Sequence, residues 1–517
     1  MCIYSKTGGE EQTMHTRTVM LDGESLGLGD FLDVVYGRAK AELSCDAKRK
    51  MSDSRKHVES VVDESRVVYG ITTGFGRFAD VVISADETRE LQQNLILSHA
   101  CGTGPAFSER EVRGMMLLRA NALAKGYSGV RIRVVDTLLK MLNEGIHPVI
   151  PQQGSVGASG DLAPLAHLVL VMIGRGKATH RGLTLSGDKA LKQACIEPVV
   201  LEAKEGLALI NGTQAMTSVG LLSLKAAQDF IDSADIVAGL TVEVLRGIPS
   251  AFDARLITLR PHQGAVESAS RLCSALKGSR LTTSSGELRV QDAYSLRCTP
   301  QVHGATRAAI VHVHEVLRLE MNSATDNPLV VCNPDGTRDV ISGGNFHGQP
   351  VSSAMDYLGL ALLGSAGISE RRIDRMLNPV SSGLPAFLTR RGGLNSGFMI
   401  AHYTAAALLS ESKILASPAS VDSIPVSASQ EDHVSMGPIA ARKARDIALN
   451  ATKILAIELM CACQAADLLG PEMLGQVGAH TYKLVRKVVP ALEQDREIHE
   501  DIEKVTQLLQ AGELLAV

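Results

Sequence analysis

The sequence predicts a mainly α protein: a body of long antiparallel helices beside a loop-rich, mixed N-terminal lobe. Three observations predict it. Apolar residues recur at helical spacing over long runs, proline falls only in the first turns or near the ends of those runs, and strand signals are few and short.

Taken in order, residues 1–16 are polar, carry Glu10 and Glu11, and lack the apolar run of a signal peptide, so they read as a disordered tail. Residues 17–220 form the mixed lobe and 221–517 the helical body. Within the lobe, Arg66–Tyr69 reads as a strand leading into glycines. Ser108-Glu109-Arg110-Glu111 is a capping box ahead of a helix over Val112–Lys125, which Gly126 stops. Asp161 stands at an N-cap position before a short apolar helix, Leu162–Ile173, with Pro164 in its first turn. Short strands are expected near 174–188 and at Leu329–Cys332. Long helices are expected over 212–246, 303–323, 350–377 and Pro438–Leu469. In the last, Ala444, Ile447, Ala448, Ala451, Ile454 and Leu455 share a face, with Asp446, Asn450 and Lys453 between them. Abundant alanine lets such helices approach closely, within a chain or between subunits.

The 517 residues suffice for a large core and more than one structural unit. A net charge of −4 gives no pull toward nucleic acid or membrane, and 3% aromatics without tryptophan argue against base-stacking surfaces. No run approaches the roughly 18 apolar residues of a membrane span. The nine cysteines are scattered, and Cys461 with Cys463 is no zinc signature, so a reducing, cytoplasmic setting is expected by default. His312 and His314 point to different helix faces, and no metal site is expected.

Chemistry concentrates in Gly154-Ser155-Val156-Gly157-Ala158-Ser159-Gly160-Asp161-Leu162. If the Gly160 nitrogen attacks the Ala158 carbonyl carbon, a five-membered ring closes. Loss of one water gives an imidazolone, and loss of the Ser159 hydroxyl leaves an exocyclic methylene. The product is an electrophile that no unmodified side chain provides. Gly160 leaves its nitrogen unobstructed, Ala158 is small, and Ser159 alone carries a β-leaving group. The same run also reads as a plain turn before a helix. A phosphate cradle is disfavoured, because neither glycine fingerprint of nucleotide sites is present.

Other runs carry two readings each. Tyr69 is either a half-buried loop tyrosine or a general base, and each unit its pKa falls from about 10 requires about 1.4 kcal/mol of preferential phenolate stabilisation. Tyr294 and Arg297 share a helix face, so Arg297 is either a solvated ion-pair partner or a bidentate clamp for a carboxylate. Asn211 reads as a helix N-cap, Phe346 as core packing in a Gly-rich loop, and Gln430-Glu431-Asp432-His433 as the acidic opening of the C-terminal helix.

Together the runs VVYGITTGFG, LQQNLILSHACG, LRANALAKGYSGVR, GSVGASGDLAPLAHL, KEGLALINGTQ, VQDAYSLRCTPQVHGA, TDNPL, GGNFHGQP and SASQEDHVSMG stand in the order found in the histidine ammonia-lyase family. The chain resembles that family from Leu21 to Pro490. These are aromatic amino acid ammonia-lyases that use 4-methylidene-imidazol-5-one (MIO). The resemblance implies an ammonia-lyase, fumarase/aspartase-like architecture and deamination of L-histidine to trans-urocanate and ammonia, the first step of histidine degradation. It implies that Ala158, Ser159 and Gly160 become the MIO, that Asp161 assists, and that no external cofactor is needed. It assigns Tyr69 as the base for the β-proton and Asn211 to the MIO or substrate amine. Tyr294 positions both, Arg297 grips the α-carboxylate, and Phe346 packs near the MIO. Gln291 and Asn327 join the substrate-binding set. Ser98, His99 and Glu431 select the ring. Tyrosine enzymes carry His-Leu at 98–99 and phenylalanine enzymes Phe-Leu, and both usually have Gln at 431. Imidazole offers a donor and an acceptor, which Glu431 and His99 can pair. Relatives are homotetramers with active sites shared between subunits. Departures are few: Thr72 replaces a common Asn, and Gly348-Gln349 a more usual pair.

Overall fold

The computed structural model describes residues 17–84 and 87–516, so the tail expected over 1–16 lies outside the described residues. Two compact units interleave along the chain. The first holds the chain up to Gly154, Leu162–Ala215 and Met321–Phe346, and the second holds Ser155–Asp161, Met216–Glu320 and the chain from His347. No single cut near residue 220 separates them. Residues 321–346 return to the first unit, and the short loop 155–161 groups with the second.

All strands among the described residues belong to the first unit. Arg17–Leu21 pairs in parallel with Ala39–Leu43, from Arg17 opposite Ala39 to Leu21 opposite Leu43. Val19, Leu21, Ala39, Ala41 and Leu43 turn inward, the period-two pattern of a half-buried pair. The stretch near 174–188 is a hairpin of Lys177–His180 and Leu183–Ser186, turned by Arg181 and Gly182, both left-handed at φ 50° and 77°. Leu329–Cys332 pairs with Arg338–Ile341. The capping box forms as read: Ser108 Oγ accepts from Glu111 N, and the Glu111 carboxylate accepts from Ser108 N at 2.7 Å, opening the helix Glu109–Ala124. The apolar helix spans Leu162–Met172.

Arg66–Tyr69 is not a strand. Ser65 is left-handed at φ 53°, and the Thr72 hydroxyl donates to Arg66 O at 2.6 Å while accepting from Val68 N at 3.0 Å. These local bonds occupy the backbone groups that a ladder needs.

The second unit is a bundle of long helices. Gln349–Leu377 packs along Gly437–Leu469 and also against Thr299–Glu320 and Met399–Leu415. At Gly359 a Cβ would lie 3.0 Å from Ile447 Cδ1, so small residues bring these two helices close. Glu458, fully buried, accepts from Arg372 Nε at 2.5 Å, Arg372 Nη2 at 2.9 Å, Ser369 Oγ at 2.5 Å and Thr241 Oγ1 at 2.7 Å. A buried charge is tolerable only when wrapped in this way. Contrary to the sequence expectation, Gln349–Leu377 is long and apolar enough, by length and composition, to cross a membrane. Over half of its most apolar window (56%) is buried inside the structure, as in the core helix of a bundle.

Candidate active site

The loop 155–161 is built from unusual backbone. Gly157, Ser159 and Gly160 are all left-handed, at φ 74°, 50° and 77°, and Ser159 does this with a side chain. The turn is tied at several points. Ser155 Oγ accepts from Gly157 N at 3.1 Å, and Met436 N donates to Val156 O at 2.9 Å. Ala158 is buried against Val434 and Met436. A Cβ at Gly157 would lie 2.2 Å from Ser435 Oγ, so only glycine fits.

Two residues that the sequence reading passed over hold this floor together. Ser435, fully buried, accepts from Gly437 N at 3.2 Å through its hydroxyl, and its carbonyl accepts from Ser352 Oγ at 2.6 Å. Met216 fills the space that side chains at 348 and 437 would need. Cβ atoms there would lie 2.6 Å and 2.4 Å from its sulfur. Gly348, a departure from the family pattern, is thereby explained by packing. The signal for Ser435 was the VSMG end of a run already singled out for Glu431; Met216 had none.

Glu431 does not open the C-terminal helix, which begins at Gly437 after the left-handed Met436. It sits on an antiparallel bridge to Val426, with Val426 N donating to Glu431 O at 3.0 Å. Ser427, Ala428 and Ser429 between them are all left-handed, at φ 54°, 51° and 65°. From this turn the Glu431 carboxylate reaches the tripeptide: Ser159 Oγ donates to Glu431 Oε1 at 3.0 Å. Asp161, fully buried, caps the helix Gln214–Val244, because its Oδ2 accepts from Met216 N at 2.8 Å.

Elsewhere in the second unit, Tyr294 and Arg297 share the short helix Tyr294–Arg297, with the guanidinium 4.6 Å from the tyrosine ring centre. Gln291 and Arg297 line one cleft of about 360 Å³ with Asp292 and Gln301, and Arg297 Nε is buried without a hydrogen-bond partner among the described residues. Tyr294 is 70% exposed.

The first unit carries the remaining residues. Tyr69 is half-buried, and its hydroxyl accepts from Gly76 N at 3.4 Å. The turn after it is tight: Gly70, left-handed, is wedged against Leu207 and Pro328. Ser98 and His99 end the helix Thr88–His99, and Ser98 Oγ lies 3.0 Å from His99 Nδ1. Asn211 is a C-cap rather than an N-cap; it closes Glu205–Ile210, and the next helix starts at Gln214. It is buried, and its Oδ1 has no hydrogen-bond partner among the described residues. Both ends of the Asn327 carboxamide are engaged inside the unit, with Ser342 Oγ at 3.1 Å and Gly343 N at 2.7 Å. Asn327 thus anchors the loop that leads to the half-buried Phe346.

The sequence profile of the aromatic amino acid lyases matches residues 26–487. The chain belongs to the aromatic amino acid lyase family. A curated relative within this family, histidine ammonia-lyase of Alkaliphilus oremlandii, is 55% identical over 96% of this chain and 98% of its own. Among solved structures, histidine ammonia-lyase from Trypanosoma cruzi superposes with a TM-score of 0.89 at 43% identity, covering 96% of this chain and 94% of its own. Tyrosine aminomutase from Streptomyces globisporus reaches a TM-score of 0.92 at 39% identity, covering 96% and 98%. The lyase architecture expected from the sequence is therefore present, on a fold that also serves aminomutases.

Proposed function

We propose that this chain converts L-histidine to trans-urocanate and ammonia, as a cytoplasmic homotetramer whose Ala158-Ser159-Gly160 closes into MIO. The observation that carries the reading is the 3.0 Å contact between Ser159 and Glu431, which sets a carboxylate beside the reacting tripeptide. The tripeptide suits ring closure. Gly160 has no Cβ and a left-handed φ, Ala158 is held by Val434 and Met436, and the Ser159 hydroxyl is already hydrogen-bonded to a carboxylate. The MIO supplies an electrophile to the substrate amine, which makes ammonia a better leaving group.

The chain's own side chains do the rest. Tyr69 takes the weakly acidic β-proton. Glu431 accepts from the imidazole N–H, and His99, oriented by Ser98, pairs the other ring nitrogen. The Asn211 Oδ1, buried and without a hydrogen-bond partner among the described residues, is an acceptor suited to an N–H such as an amine provides. Arg297 holds the α-carboxylate, with Tyr294 stacked on it and Gln291 in the same cleft. The exposure of Tyr294 supports its service to a neighbouring copy. The eight cysteines among the described residues are free thiols, as a reducing compartment allows.

A tyrosine- or phenylalanine-type enzyme is the second reading, favoured only by the shared fold. An apolar ring would offer Glu431 no donor and His99 no further polar partner. The deciding experiment adds L-histidine to the purified protein and follows urocanate absorbance, with L-tyrosine and L-phenylalanine in parallel. A rise with histidine alone is expected. A rise with tyrosine or phenylalanine alone overturns the substrate, and an intact mass without the loss of two waters overturns the MIO.

A further inference from the structure

The side chain of Arg119, on the helix Glu109–Ala124, is fully buried in the first unit. Its Nη1 donates to the main-chain oxygen of Asn211 at 2.8 Å and to Gln214 Oε1 at 2.8 Å. Gln214 Nε2 in turn donates to Thr325 Oγ1 at 2.6 Å. These bonds enclose the turn between the helix Glu205–Ile210 and the helix starting at Gln214. A Cβ at Gly212 would lie 2.3 Å from Arg119 Nη1, 2.5 Å from Gln214 Oε1 and 2.5 Å from Thr325 O, so the peptide after Asn211 has one place to go. The Asn211 carbonyl is thereby held by the guanidinium, while its side-chain Oδ1 stays buried and, among the described residues, without a hydrogen-bond partner.

We infer that Arg119 is a positioning residue for Asn211: it fixes the Asn211–Gly212 peptide through a buried chain, Arg119–Gln214–Thr325, so that the Asn211 carboxamide is presented to the substrate amine. This rests on the proposed role of Asn211. A guanidinium is an expensive clamp for a single turn. The nearby Asp326 carboxylate is already bonded to the buried Lys204 at 2.7 Å, and Arg119 Nε and Nη2 are buried with no hydrogen-bond partner among the described residues. Burial pulls the proton affinity of Arg119 down to about 10, with Asp326 opposing, so it remains a cation at neutral pH. A residue that merely filled the core would not need this charge.

The test is a double-mutant cycle on the full-length protein, read by urocanate formation, with intact mass confirming ring closure in each variant. Arg119→Gln is expected to lower kcat at least tenfold with KM for L-histidine within twofold. In an Asn211→Ala background the same change is expected to cost less than threefold, because the group being positioned is gone. Arg119→Lys keeps the charge but not the forked donor, and is expected to rescue little. Equal losses in both backgrounds, or an Arg119→Gln enzyme with unchanged kcat, overturn the inference. If Arg119→Gln does not fold, Thr325→Val reads the same chain from its other end without disturbing a buried charge. It is expected to lower kcat less, with the same non-additivity, and additive losses there overturn the inference. Should Asn211→Ala alone leave turnover intact, it is the role of Asn211 that fails. Should Asn211→Ala be slow while Arg119→Gln is not, only the positioning role fails.

Discussion

Ser159 Oγ and Glu431 Oε1 are joined by a 3.0 Å hydrogen bond between residues 272 positions apart in the chain. The hydroxyl in this bond is the group that the proposed ring closure would expel. On that reading the contact belongs to the precursor, and closure would leave the Glu431 carboxylate without that donor, beside the new methylene. A carboxylate so released would be free to accept an N–H from an imidazole.

Glu431→Gln keeps the shape of this side chain and removes its charge. A hydrogen bond to a charged group contributes about 1.5–3 kcal/mol, so kcat/KM for L-histidine is expected to fall roughly ten- to a hundredfold. The intact mass should still be lighter than the sequence by two waters. Unchanged kcat/KM would remove Glu431 from ring recognition.

Ser159→Ala removes the only β-leaving group in the tripeptide. The protein is expected to fold, to have the mass its sequence dictates, and to form no urocanate. Tyr69→Phe is the complementary case: the ring forms, and turnover drops by orders of magnitude. Measuring mass and urocanate on both variants separates ring formation from proton removal. Turnover by Ser159→Ala at the parent rate would sink the MIO reading.

Gly157→Ala tests the loop's backbone. The added Cβ meets Ser435 Oγ at 2.2 Å, at a residue whose φ of +74° already disfavours any side chain. Ring formation is expected to fail or slow greatly, seen as a mass equal to the sequence. Ser435→Gly in the same chain removes the collision but leaves the left-handed strain, about 1–2 kcal/mol. Partial recovery of the lighter mass is therefore expected. No recovery would mean that the collision with Ser435 is not what excludes a side chain.

Some of this site was legible in the sequence and some was not, for physical reasons. The tripeptide announced itself because its chemistry depends on three adjacent residue types. The capping box and the long helices were legible because their signals are local and periodic. Glu431 was assigned its partner chemistry but the wrong element, because helix-dipole logic ignores a left-handed residue at 436. Arg66–Tyr69 misled in the same way: a β-like composition lost to Thr72 side-chain bonds. Met216 gave no signal, since its importance is the space beside distant glycines, and Ser435 was visible only as the end of the run singled out for Glu431. Asn211 looked like the start of one helix and is the end of another, because both helices meet within three residues of it.

The turn that presents Glu431 holds three consecutive non-glycine residues in the left-handed region. Ala428 is exposed, so glycine there loses no packing. Relief of left-handed strain, about 1–2 kcal/mol, exceeds the roughly 0.5–1 kcal/mol of added chain entropy. Ala428→Gly is expected to raise the unfolding midpoint slightly in a thermal scan. A lower midpoint would show that the turn is held by its side chains rather than strained by them.

Acid stability offers a last prediction, at Glu370 in the helical unit. Burial pushes its carboxyl up, but hydrogen bonds from His402, 2.8 Å away, and from Arg371 outweigh this and hold it at about 2, against 4.5 for a free glutamate. A carboxylate depressed in the folded state binds protons more readily once unfolded. Its contribution is thus complete above pH 4.5 and is lost as pH falls from there toward 2. Glu370→Gln should be less stable than the parent at neutral pH, and its stability should fall less steeply through that acid window. Denaturant unfolding at a series of pH values measures both. Parallel curves for parent and variant across the window would show that Glu370 titrates alike in the folded and unfolded chain, and that its pairing with His402 contributes nothing to acid stability.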